Sequence, residues 1–419
     1  KDFFSKIFLS CFVLFSTFLI IETENYKYIT SKTFIVLIVL NIIILTIYLF
    51  KSKRFLVYIN LLVFFILIFF SNLFLFITSK SNPLYSEKFK YVTENNYYPD
   101  VPPITSLKKN NGIIPLSGLS NVKTVTANEN GYWGMYVSDE YGFNNEKNQH
   151  IKIVNATNNK LIFLGDSMTQ GSAVYQHENF VSLINENKDF TTLNLAYGGN
   201  GLLLSLAAYI EYGNHIKNSN IIFCFYEGND FYEFEVEEKN NKKLLKYITG
   251  NYSQNLITFN DEKDAFVKNR ISQRNKAIQS NSLKNKLNYY YNEIIKMNYL
   301  RKRLGLLNNK KEFYAYNDEN FKIFEKILDV YKILASRNNS SFTFIYIPVR
   351  EHFYYGNTYQ GIYEKILSIL KKKNINYIDL YQEMKKHNDP LSFFPEKVMR
   401  HFSAEGHSKV SKIIINNLN

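Results

Sequence analysis

The sequence contains few cysteines, glycines and prolines, and each shortage excludes a class of protein. Among 419 residues there are 2 Cys, 17 Gly and 8 Pro. Two cysteines are too few for a disulfide-stapled scaffold or a cysteine-rich zinc module. The glycine and proline counts exclude collagen-like and proline-rich chains. Hydrophobic residues make up 46% of the chain, so it can bury a core and is not globally disordered.

The chain is basic, with a formal net charge of +13 at pH 7, but acidic residues interrupt this excess throughout. The sequence carries no RNA-recognition, zinc-finger or helix-turn-helix signature that would accompany a nucleic-acid site. We therefore expect no nucleic acid among its partners. A basic face beside an anionic membrane or an acidic polysaccharide fits this composition better.

Three long apolar runs open the sequence, at residues 7–21, 33–50 and 55–77, and none contains a charged residue. A membrane-spanning helix needs about 20 apolar residues, with a range of about 17–25. The second and third runs meet this length. The first is shorter and could be a signal peptide, but it lacks a small-residue cleavage site. We therefore predict three transmembrane helices within residues 1–79, with the lipid bilayer as a partner.

The short loop between the second and third runs predicts the orientation of these helices. It contains Lys51, Lys53 and Arg54, and loops rich in Lys and Arg remain on the cytoplasmic side. With three spans, the rest of the chain emerges on the opposite face. We expect a multi-pass protein of the cytoplasmic (inner) membrane, whose large domain is periplasmic or extracytoplasmic.

The remainder of the chain divides by composition into a lead-in and an α/β domain. Residues 80–159 are predicted to be a linker followed by a short β-rich stretch, since prolines cluster there. From residue 160 to 419, apolar strands alternate with helices, apart from a polar, mostly helical insertion at about 231–317. Such alternation predicts a flavodoxin-like parallel sheet with helices on both faces. In these sheets the active site lies beyond the carboxyl ends of the strands.

Four polar blocks carry the chemistry of the predicted domain, at residues 165–171, 194–201, 227–230 and 401–407. The first three lie at the ends of predicted strands. A serine in the first block would present its hydroxyl beside free N–H groups at a helix N-terminus. A glycine N–H and an asparagine amide from the next two blocks would complete an oxyanion hole. A late histidine would take the serine proton. The joint pattern therefore predicts acyl transfer.

These blocks, in this order, resemble the SGNH/GDSL hydrolase superfamily over residues 160–419. The resemblance implies Ser167 as nucleophile and His401 as general base. It also implies an oxyanion hole formed by the Ser167 N–H with Gly199 and Asn229. The family needs no metal or organic cofactor, so we expect none here.

Two further features of the sequence resemble that family. Gly199 is chosen over Gly198 because the family glycine lies five residues after an asparagine, here Asn194. The lead-in pattern Ser-Asp-x-Tyr-Gly-Phe at residues 138–143 also resembles membrane-tethered members of the family.

The chain departs from the family at the residue expected to orient the histidine. The family usually has an aspartate three residues before it, and this chain has Val398 there. Glu396 is our candidate catalytic acid, with Glu405 and Asp389 as weaker alternatives. A Ser–His dyad helped by a backbone carbonyl is also open. Of the two late histidines, His407 is expected to pack against the sheet rather than to catalyse.

The resemblance implies a membrane-anchored serine esterase that acts on ester-linked acyl groups, most plausibly acetyl, of a cell-envelope polysaccharide. Two alternatives stay open. One is an O-acyltransferase that works with a membrane-bound O-acyltransferase partner. The other is a catalytically degenerate subunit that binds the acylated carbohydrate, which the missing aspartate at Val398 would favour.

Overall fold

The protein consists of two compact units. The structure, a computed structural model, describes residues 54–78, 85–103, 112–280, 282–303, 316–355 and 360–418. One unit comprises Lys1–Ser79 and Lys286–Lys310, and the other comprises Lys80–Asn285 and Lys311–Asn419. The insertion predicted at 231–317 is therefore divided between the two units.

Helices and strands alternate through most of the second unit. The described strands are β1 Tyr98–Pro99, β2 Lys123–Val125, β3 Met135–Val137, β4 Asn159–Gly165, β5 Phe190–Asn194, β6 Ser219–Tyr226, β7 Ser341–Ile347 and β8 Asn376–Asp379. The described helices are α1 Arg54–Thr78, α2 Tyr85–Glu94, α3 Gln149–Asn155, α4 Ser167–Gln170, α5 Phe180–Asn185, α6 Leu202–Ala208, α7 Asp230–Glu233, α8 Lys242–Leu245, α9 Asn260–Ser280, α10 Ser282–Tyr290, α11 Asn298–Arg303, α12 Asp318–Arg337, α13 His352–Tyr355, α14 Gln360–Lys372, α15 Leu380–Lys385 and α16 Ala404–Leu418.

The prediction of three transmembrane helices gains no support from the structure. The first two apolar runs, at 7–21 and 33–50, lie outside the described residues. Among the residues that the structure describes, no helix has the length and apolar character required to cross a membrane.

The main sheet has five parallel strands in the order β5-β4-β6-β7-β8. This confirms the predicted α/β class with a parallel sheet. The chain first builds outward from β4 to β5, then returns past β4 to β6 and continues to β8. The carboxyl ends of β4, β5 and β6 therefore lie side by side at one edge, and the polar blocks that follow them are brought together.

Strand β6 shows why these strands are continuously apolar. Phe223 and Phe225 belong to a core cluster on one face of the sheet. Ile222 and Cys224 belong to a second cluster on the other face. Because helices cover both faces, successive side chains are buried whichever way they point. Burial on two sides holds the carboxyl end of β6 rigidly in place.

The lead-in is part of the second unit and is tied to the sheet. The Asp139 carboxylate accepts hydrogen bonds from the backbone N–H groups of Tyr141 and Phe143, both at 2.9 Å. It also accepts one from the Asn145 side chain at 2.7 Å. Asn145 in turn bonds the N–H of Asn194 at 2.7 Å, at the end of β5. The pattern at 138–143 therefore docks the lead-in against the catalytic edge of the sheet.

Helix α9 of the insertion fastens the same lead-in from outside. The ammonium group of Lys263, which is fully buried, donates to the carbonyl oxygens of Gly118 at 2.8 Å and Tyr141 at 2.9 Å. It also pairs with the neighbouring Asp264 at 2.8 Å. A buried cation is tolerated only when it is paired and hydrogen-bonded, so this contact fixes the lead-in and the insertion together.

Candidate active site

A tight turn between β4 and α4 presents Ser167. Gly165 has a φ of +146°, and a Cβ atom there would lie 2.7 Å from the Cys224 carbonyl oxygen and 2.8 Å from Thr169 Oγ1. Only glycine fits this conformation and this space. Asp166 then caps α4 by accepting the N–H of Met168 at 2.9 Å. The turn places Ser167 at the first position of α4, partly exposed at the edge of the sheet.

His401 reaches the serine hydroxyl from the far end of the chain. Its Nε2 atom lies 2.9 Å from Ser167 Oγ. The residue stands just before α16, and the Ser403 hydroxyl accepts the N–H of Gly406 at 2.9 Å at the start of that helix. The Ser403 N–H is bonded to the Phe393 carbonyl at 2.8 Å. These bonds hold the loop that carries His401, so the imidazole is oriented towards the serine.

The carboxylate that orients His401 is Glu129, and the sequence analysis missed it. Glu129 Oε1 lies 2.9 Å from Nδ1 of His401. Its other oxygen accepts the backbone N–H groups of Arg400 and His401, both at 2.9 Å. The sequence analysis assigns this role to Glu396. The geometry corrects that assignment, because Glu396 is exposed and Glu129 makes the contact with His401. Val398, at the position of the usual aspartate, is buried.

The turn that carries Glu129 lies between β2 and β3 and is held against the loop after α4. The Asn130 side chain donates to the Ala173 carbonyl at 2.9 Å. Ala173 N–H donates to the Thr126 hydroxyl at 3.1 Å. Within the turn, Gly134 N–H bonds the Ala127 carbonyl at 2.9 Å. This loop directly follows α4, which carries Ser167. The bonds between the loop and the turn therefore hold Glu129 in a fixed position relative to Ser167.

Tyr132 adds a second attachment for this turn. Its hydroxyl donates to Glu178 at 2.6 Å, and its ring stacks on Tyr175 with centroids 4.6 Å apart. Glu178 also accepts the N–H of Tyr175 at 2.8 Å. Such a contact restrains this polar turn, which lowers the entropy that the turn would lose on aligning Glu129.

The electrostatics of the pair suit a general base. Burial by itself lowers the pKa of the His401 imidazole, but the charge of Glu129 and its hydrogen bond outweigh burial and raise it. Burial likewise tends to raise the pKa of Glu129, but His401 lowers it to about 2 by its charge and its hydrogen bonds. The carboxylate therefore stays ionised and stabilises the imidazolium that forms when the histidine accepts a proton.

Gly198 and Gly199 are neighbours in the loop that follows β5, and the N–H group of Gly198 is already used. The N–H of Gly198 donates to Gln170 Oε1 at 2.9 Å, and a Cβ atom on Gly198 would lie 3.7 Å from Ser167 Cβ. Gly199 has a φ of +79°, and its N–H has no acceptor among the residues that the structure describes. Of the two glycines, Gly199 has the N–H group that no described residue accepts, and its role as oxyanion donor stays a prediction.

Asn229, the third predicted donor, follows β6 and begins the turn into α7. Its side-chain nitrogen donates to Glu233 Oε1 at 2.8 Å. The carboxyl end of β6 lies beside that of β4 in the sheet. The third polar block therefore lies at the same edge of the sheet as the first, and the role of Asn229 as an oxyanion donor stays a prediction.

His407 lies away from these groups. Its Nδ1 accepts the backbone N–H of Phe180 at 3.3 Å, and its ring stacks on the Phe180 ring with centroids 5.6 Å apart. Burial lowers its pKa to about 3. The buried imidazole packs on Phe180 of α5, whereas the sequence analysis expects it to pack against the sheet.

Comparison with known proteins gives the family of the chain. The model of the GDSL-like lipase/acylhydrolase family matches residues 161–414. The chain belongs to this family, and the protein is a carboxylic ester hydrolase. No curated protein sequence matches the chain significantly.

The chain is also similar, at low identity, to solved structures. An acetylxylan esterase, Axe2 from Geobacillus stearothermophilus, is 13% identical with a TM-score of 0.35, covering 64% of this chain and 96% of that protein. A lipase/acylhydrolase from Enterococcus faecalis is 12% identical with a TM-score of 0.33, covering 62% of this chain and 95% of that protein.

Proposed function

We propose that the protein is a membrane-tethered serine esterase that removes acyl groups, chiefly acetyl, from a cell-envelope polysaccharide. The observation that carries the catalytic part is the continuous hydrogen-bonded chain from Ser167 through His401 to Glu129, with both links at 2.9 Å. A nucleophile, a base and an orienting carboxylate in this arrangement are the parts that acyl transfer to a serine requires.

In the proposed reaction, Ser167 Oγ attacks the ester carbonyl carbon while His401 Nε2 takes the hydroxyl proton. Glu129 holds the imidazole by Nδ1 and stabilises its positive charge. We assign the negative charge that develops on the carbonyl oxygen to the N–H groups of Ser167 and Gly199 and to the second N–H of the Asn229 amide, whose first N–H donates to Glu233. Loss of one such donor typically costs about 10²–10³ in turnover.

The acyl-enzyme forms when the ester C–O bond breaks and His401 gives its proton to the departing sugar oxygen, which leaves as the alcohol. Water then attacks the acyl carbon while His401 takes a proton from it. The bond between the acyl carbon and Ser167 Oγ breaks, His401 returns the proton to Oγ, and the carboxylic acid is released. If a sugar hydroxyl enters instead of water, the same steps transfer the acyl group.

A polysaccharide substrate is supported by the exposure of the site and by charge. Ser167 and His401 are both partly exposed, so a bulky chain can reach the hydroxyl without entering an enclosed cavity. The chain as a whole carries a net charge of +13, which attracts acidic polymers. The degenerate, purely binding alternative loses its main argument, because Glu129 supplies the carboxylate that Val398 lacks.

The catalytic proposal is tested by incubating the purified full-length chain with acetylated xylan and measuring the acetate released. Release that disappears in Ser167→Ala supports it. Absence of release from any acetylated polysaccharide, together with normal cleavage of p-nitrophenyl acetate, would reject the polysaccharide. Acetyl transfer to an added oligosaccharide, in excess over acetate release, would favour the acyltransferase alternative and a membrane-bound O-acyltransferase partner.

Anchoring rests on the three apolar runs of residues 1–79 and on the basic loop at Lys51, Lys53 and Arg54. The proposal is that they hold the enzyme in the cytoplasmic membrane with the esterase outside. The chain should then resist extraction by alkaline carbonate, and protease added to intact spheroplasts should remove the domain that follows residue 79. Release by carbonate would reject the anchor, and protection from protease until lysis would reverse the orientation.

A further inference from the structure

The unit that contains α1 also contains a returning piece of the insertion, residues 286–303, which exposes apolar side chains. Leu287 is 61% exposed, Tyr291 42% and Ile295 55%. Positions four residues apart lie on one face of a helix, so these three form a stripe, which Tyr290 widens at 45% exposure. Exposed apolar stripes of this kind mark interaction surfaces.

Basic residues accompany the stripe. Residues 286–303 contain five basic residues and one acidic residue, Glu293. Three of the basic residues, Arg301, Lys302 and Arg303, are consecutive. A helical segment with large apolar residues on one side and many Lys and Arg residues is typical of helices that lie in the surface of an anionic membrane.

The segment is fixed to α1 by one buried amide. Asn72 of α1 is fully buried. Its side-chain nitrogen donates to the Glu293 carbonyl at 3.0 Å, and its oxygen accepts the N–H of Leu300 at 3.2 Å. Tyr291–Ile295 forms a π-helical turn, and the buried amide lies against its carbonyl groups. The contact holds the stripe and α1 in one body.

Helix α1 continues the apolar surface. Phe55, Leu67, Phe70 and Phe74 are each more than half exposed. Asn72 lies six residues before the end of α1 at Thr78, which is about 9 Å at a rise of about 1.5 Å per residue. An interfacial helix buries its apolar face by about 5–10 Å, and tyrosines prefer this depth. In the proposed anchoring the end of α1 marks the outer surface of the bilayer, so the 286–303 segment beside Asn72 would lie at the depth of a membrane interface.

We propose that the 286–303 segment lies in the outer surface of a membrane containing anionic lipids, beside α1, with Leu287, Tyr291 and Ile295 among the acyl chains. This inference rests on the proposed membrane anchoring and adds a second contact with the bilayer, made by the insertion of the esterase domain. The occupant is lipid because the apolar surface is continuous with α1 and the basic excess complements anionic headgroups.

The test uses the full-length chain reconstituted in vesicles of phosphatidylcholine and phosphatidylglycerol. Leu287→Trp places a fluorophore on the stripe, and the signal of the native Trp133 is subtracted using the unsubstituted chain. Brominated lipids should quench the new tryptophan strongly, and its emission should shift to shorter wavelength. The control is Val154→Trp, at a position 44% exposed on α3 of the other unit, which brominated lipids should leave unquenched.

The outcomes distinguish the proposed lipid contact of the 286–303 segment from the proposed membrane anchor. Unquenched Leu287→Trp in a chain that still resists carbonate would overturn the inference and leave the anchor standing. A blue shift without quenching by bromine would show that a second copy covers the stripe, which also overturns it. Quenching that weakens when phosphatidylglycerol is replaced by phosphatidylcholine would support a preference of the segment for anionic lipids. Unchanged quenching would overturn that preference. Esterase activity of Leu287→Trp on p-nitrophenyl acetate should equal that of the unsubstituted chain.

Discussion

Glu129 Oε1 lies 2.9 Å from Nδ1 of His401, although 272 positions separate the two residues along the chain. The carboxylate is brought there by a turn of the lead-in, outside the residues that match the family model. The backbone N–H groups of Arg400 and His401 bind its second oxygen. The histidine loop and the lead-in turn are therefore joined at the point where the base must be held.

Glu129→Gln should lower kcat by up to about 10⁴-fold while changing KM little, because an orienting carboxylate acts on the transition state. Glu396→Gln is the matched control, since Glu396 is an exposed carboxylate five residues before the same histidine. It should keep kcat within a few-fold of the unsubstituted chain. Steady-state kinetics on p-nitrophenyl acetate decide between them. Equal losses of kcat in both variants would contradict the assignment of Glu129 as the carboxylate that orients His401.

The pH profile should reveal the same pair. His401 must be neutral to accept a proton, and its pKa is raised above the ordinary value of 6.5 despite burial, chiefly by Glu129. Therefore kcat/KM should rise with pH, with a midpoint above 6.5. In Glu129→Gln burial still lowers the pKa of His401, but the attraction between the imidazolium and the carboxylate is lost. The midpoint should therefore move to lower pH. A midpoint that does not move would show that Glu129 does not act on the imidazole.

Ser167→Ala should abolish ester cleavage and labelling by a fluorophosphonate probe, with a loss of at least about 10⁴-fold in kcat. Circular dichroism and melting should be unchanged, because the hydroxyl points to the partly exposed edge. Ser182→Ala, on α5, is the control and should retain full labelling. Labelling that persists in Ser167→Ala would place the nucleophile elsewhere, and peptide mapping of the adduct would locate it.

His407→Ala should lower stability and spare catalysis. The change removes a buried ring and leaves the Phe180 N–H without its acceptor, a loss of about 1–3 kcal/mol. The pKa of His407 is lowered to about 3 in the fold, so the unfolded chain binds more protons between that value and about 6.5. Its stabilising contribution should be full above pH 7 and fall as the pH falls. Urea unfolding at pH 7 and pH 5 should show a smaller difference at pH 5.

Gly134→Ala should displace the Glu129 turn. A Cβ atom at Gly134 would lie 2.7 Å from Val174 N and 2.8 Å from the Ala173 carbonyl carbon. The turn must move to relieve this contact, and a misplacement of about 1 Å can cost about 10²-fold in rate. Gly361→Ala is the control, because a Cβ there has no neighbour within 4 Å. Activity of Gly134→Ala within a few-fold of the unsubstituted chain would mean that the turn does not position the acid.

Much of the sheet and two of the three triad residues could be predicted because their signals are local. The apolar run of β6 reflects burial on both faces. The predicted alternation of strands and helices is seen where α5 lies between β4 and β5 and α6 lies between β5 and β6. Ser167 and His401 could be named because their blocks stand where strands end or where the last helix begins. Short-range patterns of this kind are fixed by strand and helix periodicity.

Glu129 could not be predicted in the same way, because its role depends on a contact between distant parts of the chain. In sequence it is one acid in a polar turn, flanked by Asn128 and Asn130. Glu396 was favoured by its nearness to His401, but its backbone has a φ of +49° and its side chain is exposed. The signals available for Glu129 were the short strands on either side and the pattern at 138–143 that follows them.

The position of Glu129 decides where the chain can be cut for study. A fragment designed on the family match would begin near residue 161 and retain the nucleophile, the oxyanion donors and the histidine. It would lack the carboxylate and the turn that supports it. Such a fragment would give the weak activity of an unassisted Ser–His pair, and an investigator could mistake it for a pseudoenzyme. Expression boundaries for this enzyme therefore have to include the lead-in from Lys80, where the second unit begins, so that β1 stays paired with β2 beside the Glu129 turn.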